Sequence, residues 1–406
     1  MRPNFFYGLA ILLLPISAFL SSTEWILGRN AAFLSLMILV LLFVFNREKC
    51  RYVNRSWLIL SLSVGVMALG QYWWVNQYGN PLDQQLLANK NYATTCKLLA
   101  ALGLLVFMTS VIPRTVIYRY RFALLAMIML AYGIAAVQAF YIYFTEQSTR
   151  ANIGGISTTA AYIATFQGLV CIYALYRVPL RYQHLLIFLV ILISFTIIVM
   201  TGTRSAVLLF PLVIILLATK NMSKRELTKY LPLISIVVII PLVISGQIRE
   251  RFVEAYHDIK YQSVNNSTSI GSRWSMWQAG LVTAYNHPLG QDAISRNNAI
   301  TQYIISNQKG NSEALRNIPY HLHNEVIEVA SLQGILPAIF ILIFYLCTVL
   351  ALAHKVDSIY TFTLPLIGFG LFDVLFIYPK ALLCLFSILC LYSLLNRLEK
   401  GVTEGL

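Results

Sequence analysis

Charge is scarce in this sequence. Only 11% of its 406 residues are charged, while 58% are hydrophobic. A soluble globular protein carries about 25% charged residues. No GxxxxGK[ST] phosphate loop is present, nor a GxSxG elbow, an HExxH pair or a DxD pair. Each is a motif with a known mechanical role, so ATP dependence and metal dependence are disfavoured and no cofactor is expected. No CxxC pair occurs either. The six cysteines, Cys50, Cys96, Cys171, Cys347, Cys384 and Cys390, lie in apolar runs or at their edges. They read as small apolar residues, not as a disulfide or metal framework.

What the chain has in abundance is apolar runs of about 16 to 22 residues, the length that crosses a bilayer core. Twelve fall near 5–22, 31–46, 57–76, 96–113, 122–143, 158–176, 184–200, 206–219, 230–246, 322–350, 360–378 and 381–396. The expected fold is an all-α polytopic membrane protein. Arg2 precedes the first run, as in a signal peptide, but that run is read as a retained helix.

The net charge of +14 does not point to nucleic acid, because the basic residues sit in short gaps between apolar runs. Alternate gaps hold Arg47 to Arg55, then Arg114, Arg119 and Arg121, then Arg177 and Arg181, then Lys220 to Lys229, then Lys355, and finally Arg397 and Lys400. The short gaps of the other set hold few. Positive residues concentrate on the cytoplasmic side, so both termini are expected there. Tyr72, Trp73 and Trp74 fall where an outer aromatic belt belongs.

Three regions follow: crossings over 1–246, a large outer loop over 247–320, and crossings over 321–406. Within the loop, short amphipathic helices are expected near 248–260 and 272–286, the second stopped by Pro288 and capped by Ser269 or Ser272.

Polar residues cluster near the outer face. Arg204 lies in Thr201-Gly202-Thr203-Arg204-Ser205, a cation on the side that usually avoids them. It reads equally as an anchor snorkelling to lipid headgroups or as a cation aimed at a phosphate. Arg273 follows Gly271-Ser272 near the start of a loop helix, where free N–H groups and a guanidinium make an anion site; a solvated loop arginine is the plainer reading. His321, His323 and Glu325 stand in the run Pro319–Glu328. A histidine there can take a proton from a sugar hydroxyl near neutral pH, or it can simply hold a helix end with Glu325. Two histidines without a clear third ligand make a weak metal site. Gly334, eleven residues after His323, and Ala330 are expected to share its helix face. Asp373 is an acid deep in an apolar run and needs a partner: Lys380, a loop arginine or His323. Lys90, Asp83 and Arg150 read as ordinary loop charges.

These residues resemble the O-antigen ligase family of lipopolysaccharide assembly, within the wider ligase and polymerase superfamily. The resemblance rests on Arg204-x-x-x-Leu208, the arginine of Gly271-Ser272-Arg273, and His323-x10-Gly334. It implies a glycosyltransferase with a GT-C-like helical fold in the inner membrane. The donor would be an O-antigen on undecaprenyl diphosphate, and the acceptor a terminal sugar of lipid A–core. Arg204 and Arg273 would bind the diphosphate and His323 would be the base at a periplasmic site. His321, Glu325 and Asp373 would join the substrate-binding set. Rival readings are a polymerase or a protein-glycosylating ligase of the same superfamily, or a transporter of a lipid-linked sugar.

Overall fold

A computed structural model describes residues 3–45, 54–79, 86–145, 150–228 and 267–398, apart from Gly154 and Lys309, with single positions between 229 and 266. The expected crossing at 230–246 and the loop helix near 248–260 lie outside the described residues.

The chain is an all-α polytopic membrane protein. Eight long helices come first: α1 (Pro3–Leu20), α2 (Trp25–Phe45), α3 (Arg55–Tyr78), α4 (Leu87–Ser110), α5 (Arg114–Thr145), α6 (Ser157–Arg177), α7 (Gln183–Thr201) and α8 (Arg204–Asn221). Three further helices form the described part of the loop: α9 (Ser269–Asn286), α10 (Ala293–Asn307) and α11 (Ser312–Asn317). Then come α12 (Glu325–Leu332), α13 (Ile335–Leu352), α14 (Val356–Phe372, with a π turn at Ile359–Thr363) and α15 (Pro379–Leu395). Among the described residues, nine helices are long and apolar enough to cross a membrane, and α14 and α15 are shorter apolar ones.

Helix α6 is buried along almost its whole length, and every residue from Ala381 to Leu395 of α15 is buried. These two form the axis of the bundle. Both are predominantly apolar around their circumference, the pattern of a buried helix. Small residues let them pack closely, and polar groups are satisfied across helices. Gln167 Nε2 donates to the carbonyls of Ala18 and Phe19, both at 3.0 Å, and Ser17 and Ser387 share a 2.7 Å hydrogen bond. Outer helices show large apolar residues such as Phe45, Leu130 and Leu346 on the surface, as lipid contact requires. The five described cysteines are buried and unpaired.

The expected run at 322–350 is not one helix. It breaks at Gln333-Gly334, where Gly334 has φ 105°. A Cβ at Gly334 would lie 2.7 Å from the Pro288 carbonyl oxygen and 2.9 Å from the Gly290 nitrogen. Ile335 N–H donates to that same Pro288 oxygen at 2.9 Å, and Gln291 N–H to the Leu332 carbonyl at 2.9 Å. The loop backbone is thus stitched into the break. His323 lies before α12 and Gly334 after it, so they bracket the short helix and do not share one face of it. The run at 360–378 likewise stops at Phe372, leaving Asp373 extended.

Two expectations about the outer loop are corrected. Helix α9 starts at Ser269, three residues early, and its cap is Thr268, whose hydroxyl accepts from Gly271 N–H at 3.1 Å. Trp74 is no belt residue: it is fully buried and its Nε1 donates to the Gln291 carbonyl at 2.9 Å, clamping α3 to the loop.

Candidate functional site

The segment Ile318–Asn324 is the hub of the site. Asn324 caps α12, its Oδ1 accepting from the Val326 and Ile327 N–H groups at 3.1 and 3.0 Å. Its Nδ2 donates to the Leu371 carbonyl at 3.1 Å, so the cap also grips the end of α14. His323 has φ 52°, and among the described residues it is the non-glycine with positive φ. Such a conformation persists only where its surroundings impose it, and it concentrates at functional sites. Here Trp277 Nε1 donates to the Leu322 carbonyl at 2.9 Å, and Leu322 N–H donates to Glu328 Oε2 at 2.8 Å.

Both histidines face one carboxylate. His321 Nε2 is 3.5 Å, and His323 Nδ1 3.3 Å, from Asp373 Oδ1. His321 Nδ1 accepts from His323 N–H at 3.3 Å, so the proton of neutral His321 belongs on Nε2, toward Asp373. His323 turns Nδ1 toward the carboxylate, without the geometry of a hydrogen bond. Exposure separates the two rings. The His323 side chain is 20% exposed; His321 is 7% and Asp373 2%. Burial holds His321 well below the ordinary histidine range, at about 3, although Asp373 opposes this.

Asp373 is fully engaged. Its Oδ2 accepts from the Tyr162 hydroxyl at 2.9 Å and its Oδ1 from Val374 N–H at 2.9 Å. The partner it takes is histidine, not Lys380, whose Nζ donates to the Ser22 carbonyl at 3.3 Å. It also supplies the third donor the sequence lacked: His321, His323 and Asp373 offer atoms within 4.8 Å of one another. A divalent ion fits such a spacing, and so does an ordinary carboxylate–imidazole pair.

Glu325, expected to bind substrate, stands elsewhere. It is fully buried, and its Oε2 accepts from the N–H groups of Leu375 and Phe376. It holds the turn that carries Asp373 and does not face an opening.

Arg204 is the first residue of α8, half-buried. Ser205 beside it meets the Tyr162 hydroxyl, so the start of α8 joins the Tyr162–Asp373–His323 line. Arg150 is more than a loop charge. Its Nε donates to the Thr201 carbonyl at 2.7 Å and its side chain reaches Thr203 Oγ1 at 3.5 Å, shaping the turn before Arg204. Gly202 makes that turn at φ 65°. Arg273, half-buried on α9, lies close enough for its charge to act on both His321 and Tyr162, and among the described residues no carboxylate pairs with it. Arg204, Arg273, His321, His323 and Asp373 therefore gather at one end of the bundle.

A model of the family described as O-Antigen ligase matches residues 187–343. That stretch contains Arg204, Arg273 and His323. The chain is also 27% identical over 346 residues to the O-antigen ligase of Escherichia coli (strain K12), covering 83% of this chain and 81% of that protein. Both comparisons support the O-antigen ligase family for this chain. Activity in this family is that of a transferase acting in lipopolysaccharide biosynthesis, in agreement with the resemblance drawn from the motifs.

Three supports of the site in this O-antigen ligase relative escape sequence reasoning. Tyr162 lies 211 residues from Asp373 and carries no motif. Arg296 is fully buried and donates to Glu328 Oε2 at 3.0 Å, beneath the histidine segment. Trp277 holds that segment from α9. A fully buried arginine cannot be told from a solvated one in a polar loop, since only its tertiary partner distinguishes them.

Proposed function

We propose that this protein is a glycosyltransferase that moves an O-antigen polysaccharide from undecaprenyl diphosphate onto a terminal sugar of lipid A–core. The reaction would take place at the periplasmic face of the inner membrane, with both termini cytoplasmic. The observation that carries this reading is the His323–Asp373 pair, near the arginine-bearing starts of α8 and α9.

Asp373 stabilises the Nδ1–H form of His323, so Nε2 is the base. It takes the proton from the acceptor hydroxyl as that oxygen bonds to the anomeric carbon. The bond from that carbon to the diphosphate oxygen breaks, and its electron pair leaves with the lipid diphosphate. Arg204 and Arg273 neutralise the charge that builds there, the largest single term in many such reactions. One displacement inverts the anomeric centre. The lipid diphosphate is already an activated leaving group, so neither ATP nor a metal is required.

The test is transfer by the purified full-length protein with a defined lipid-linked donor and rough lipopolysaccharide. Activity is expected in EDTA, with product of inverted configuration. Complete loss in EDTA would overturn metal independence, and a product of retained configuration would overturn the single displacement. Arg204→Ala and Arg273→Ala are expected to weaken donor binding, and His323→Ala to abolish transfer while the donor still binds.

A further inference from the structure

Beside this site lies a cavity of about 460 Å³ that the reaction above does not use. Its wall includes Trp25, Tyr378, Asn91 and Thr159, and its two cations are Lys90 and Lys380. No acidic residue is among the described lining residues. Tyr378 is a shared wall: its ring packs edge-on against His321 with centroids 6.0 Å apart. From the cavity to the base the order is therefore Tyr378, His321, His323, the two imidazole centroids being 4.3 Å apart.

Both lysines stand where helix starts favour an anion over a cation. Lys90 stands in the first turn of α4 and Lys380 in the first turn of α15. A helix start carries positive partial charge from its unpaired N–H groups, so a cation there is repelled and an anion is attracted. The starts of α2, α4, α6 and α15 all border this cavity, and the last three lack a side-chain cap at Leu86, Ile156 and Tyr378. Lys380 directs a donor to the Ser22 carbonyl, and an ammonium has three. Aromatic walls at Trp25 and Tyr378 offer flat apolar faces suited to the C–H faces of sugar rings. Lysines, open helix starts and flat apolar walls together fit a phosphorylated glycan.

We propose that this cavity binds the phosphate-bearing part of the acceptor glycan, and that Lys90 and Lys380 are its phosphate ligands. This rests on the ligase reading. It deepens it by giving the enzyme two anion sites, one on each side of the histidine pair: arginines for the departing diphosphate, lysines for the incoming acceptor.

The experiment compares the purified full-length protein with Lys90→Gln/Lys380→Gln and the charge-keeping Lys90→Arg/Lys380→Arg. Each is assayed with phosphorylated core acceptor and with the same acceptor stripped of phosphate. Loss of two charge-assisted contacts should raise the acceptor KM about tenfold or more. Donor KM should hold, the arginine pair should recover most of the loss, and the gap should close on the stripped acceptor. A separate arm measures binding of the phosphorylated core oligosaccharide without donor, with phosphatidylglycerol vesicles as competitor. Lysine-dependent binding that the vesicles do not displace supports the site even if no transfer occurs, in which case the ligase reading alone falls. An unchanged acceptor KM, a donor KM that rises equally, or displacement by phosphatidylglycerol would overturn the proposal.

Discussion

His323 Nδ1 lies 3.3 Å from Asp373 Oδ1, across 50 residues of chain and between two helix ends. The contact turns Nδ1 toward the carboxylate, without the geometry of a hydrogen bond. His323→Ala and Asp373→Asn should each lower turnover, by about 10²- to 10⁴-fold, the usual range for a positioned general base. Transfer assays at saturating donor and acceptor check this. Turnover within threefold of wild type in Asp373→Asn would show that the carboxylate does not set the tautomer.

His321 gives a pH dependence with a definite sign. Its folded pKa, about 3, lies below the ordinary value of 6.5 for the unfolded chain. The folded form therefore binds fewer protons between these values. Its contribution to stability is complete above about pH 6.5 and is lost progressively as pH falls toward 3. Thermal unfolding in detergent from pH 7.5 to 5 should show a steeper decline for wild type than for His321→Asn. Parallel declines would place the acid sensitivity elsewhere.

Arg296 and Glu328 are 1% and 0% exposed and 3.0 Å apart. Removing one partner strands a buried charge. Arg296→Met and Glu328→Leu should each destabilise by about 3–5 kcal/mol. The double substitution should cost clearly less than the sum, because no charge remains to be desolvated. Unfolding midpoints of the four proteins close the cycle. Additive losses would mean that the pair does not interact. Glu328 also holds Leu322 N–H, so the Leu variant should lose activity beyond its stability cost.

Gly334 meets loop backbone with no room for a methyl group. Gly334→Ala must either leave φ 105° or separate α12 from Pro288–Gly290. A loss of at least about 1–3 kcal/mol is expected, the cost of a strained backbone before any clash is added. Thermal unfolding measures it. A midpoint equal to wild type would show that the break in the helix tolerates a side chain.

The apolar runs, the motif arginines and the motif histidine are legible in the sequence. A crossing is dictated by about 20 apolar residues in succession, and Arg204, Arg273 and His323 stand out because charge and imidazole are rare in such a chain. The helix breaks at Gly334 and Asp373 are not legible there. Both lie in apolar surroundings that read as continuous helix, and what holds each break comes from a distant segment: the Pro288 backbone for one, the Glu325 carboxylate for the other.

Membrane-spanning helices and their spacing are therefore a property of this sequence by itself, because the bilayer demands local hydrogen bonding and local apolarity. Only the tertiary structure decided that His323 rather than His321 is the exposed ring, that Glu325 supports a turn, and that Arg150, Arg296 and Tyr162 belong to the site. Those outcomes depend on partners tens to hundreds of residues away. Burial and pairing belong to two groups jointly, so no single stretch of sequence carries them.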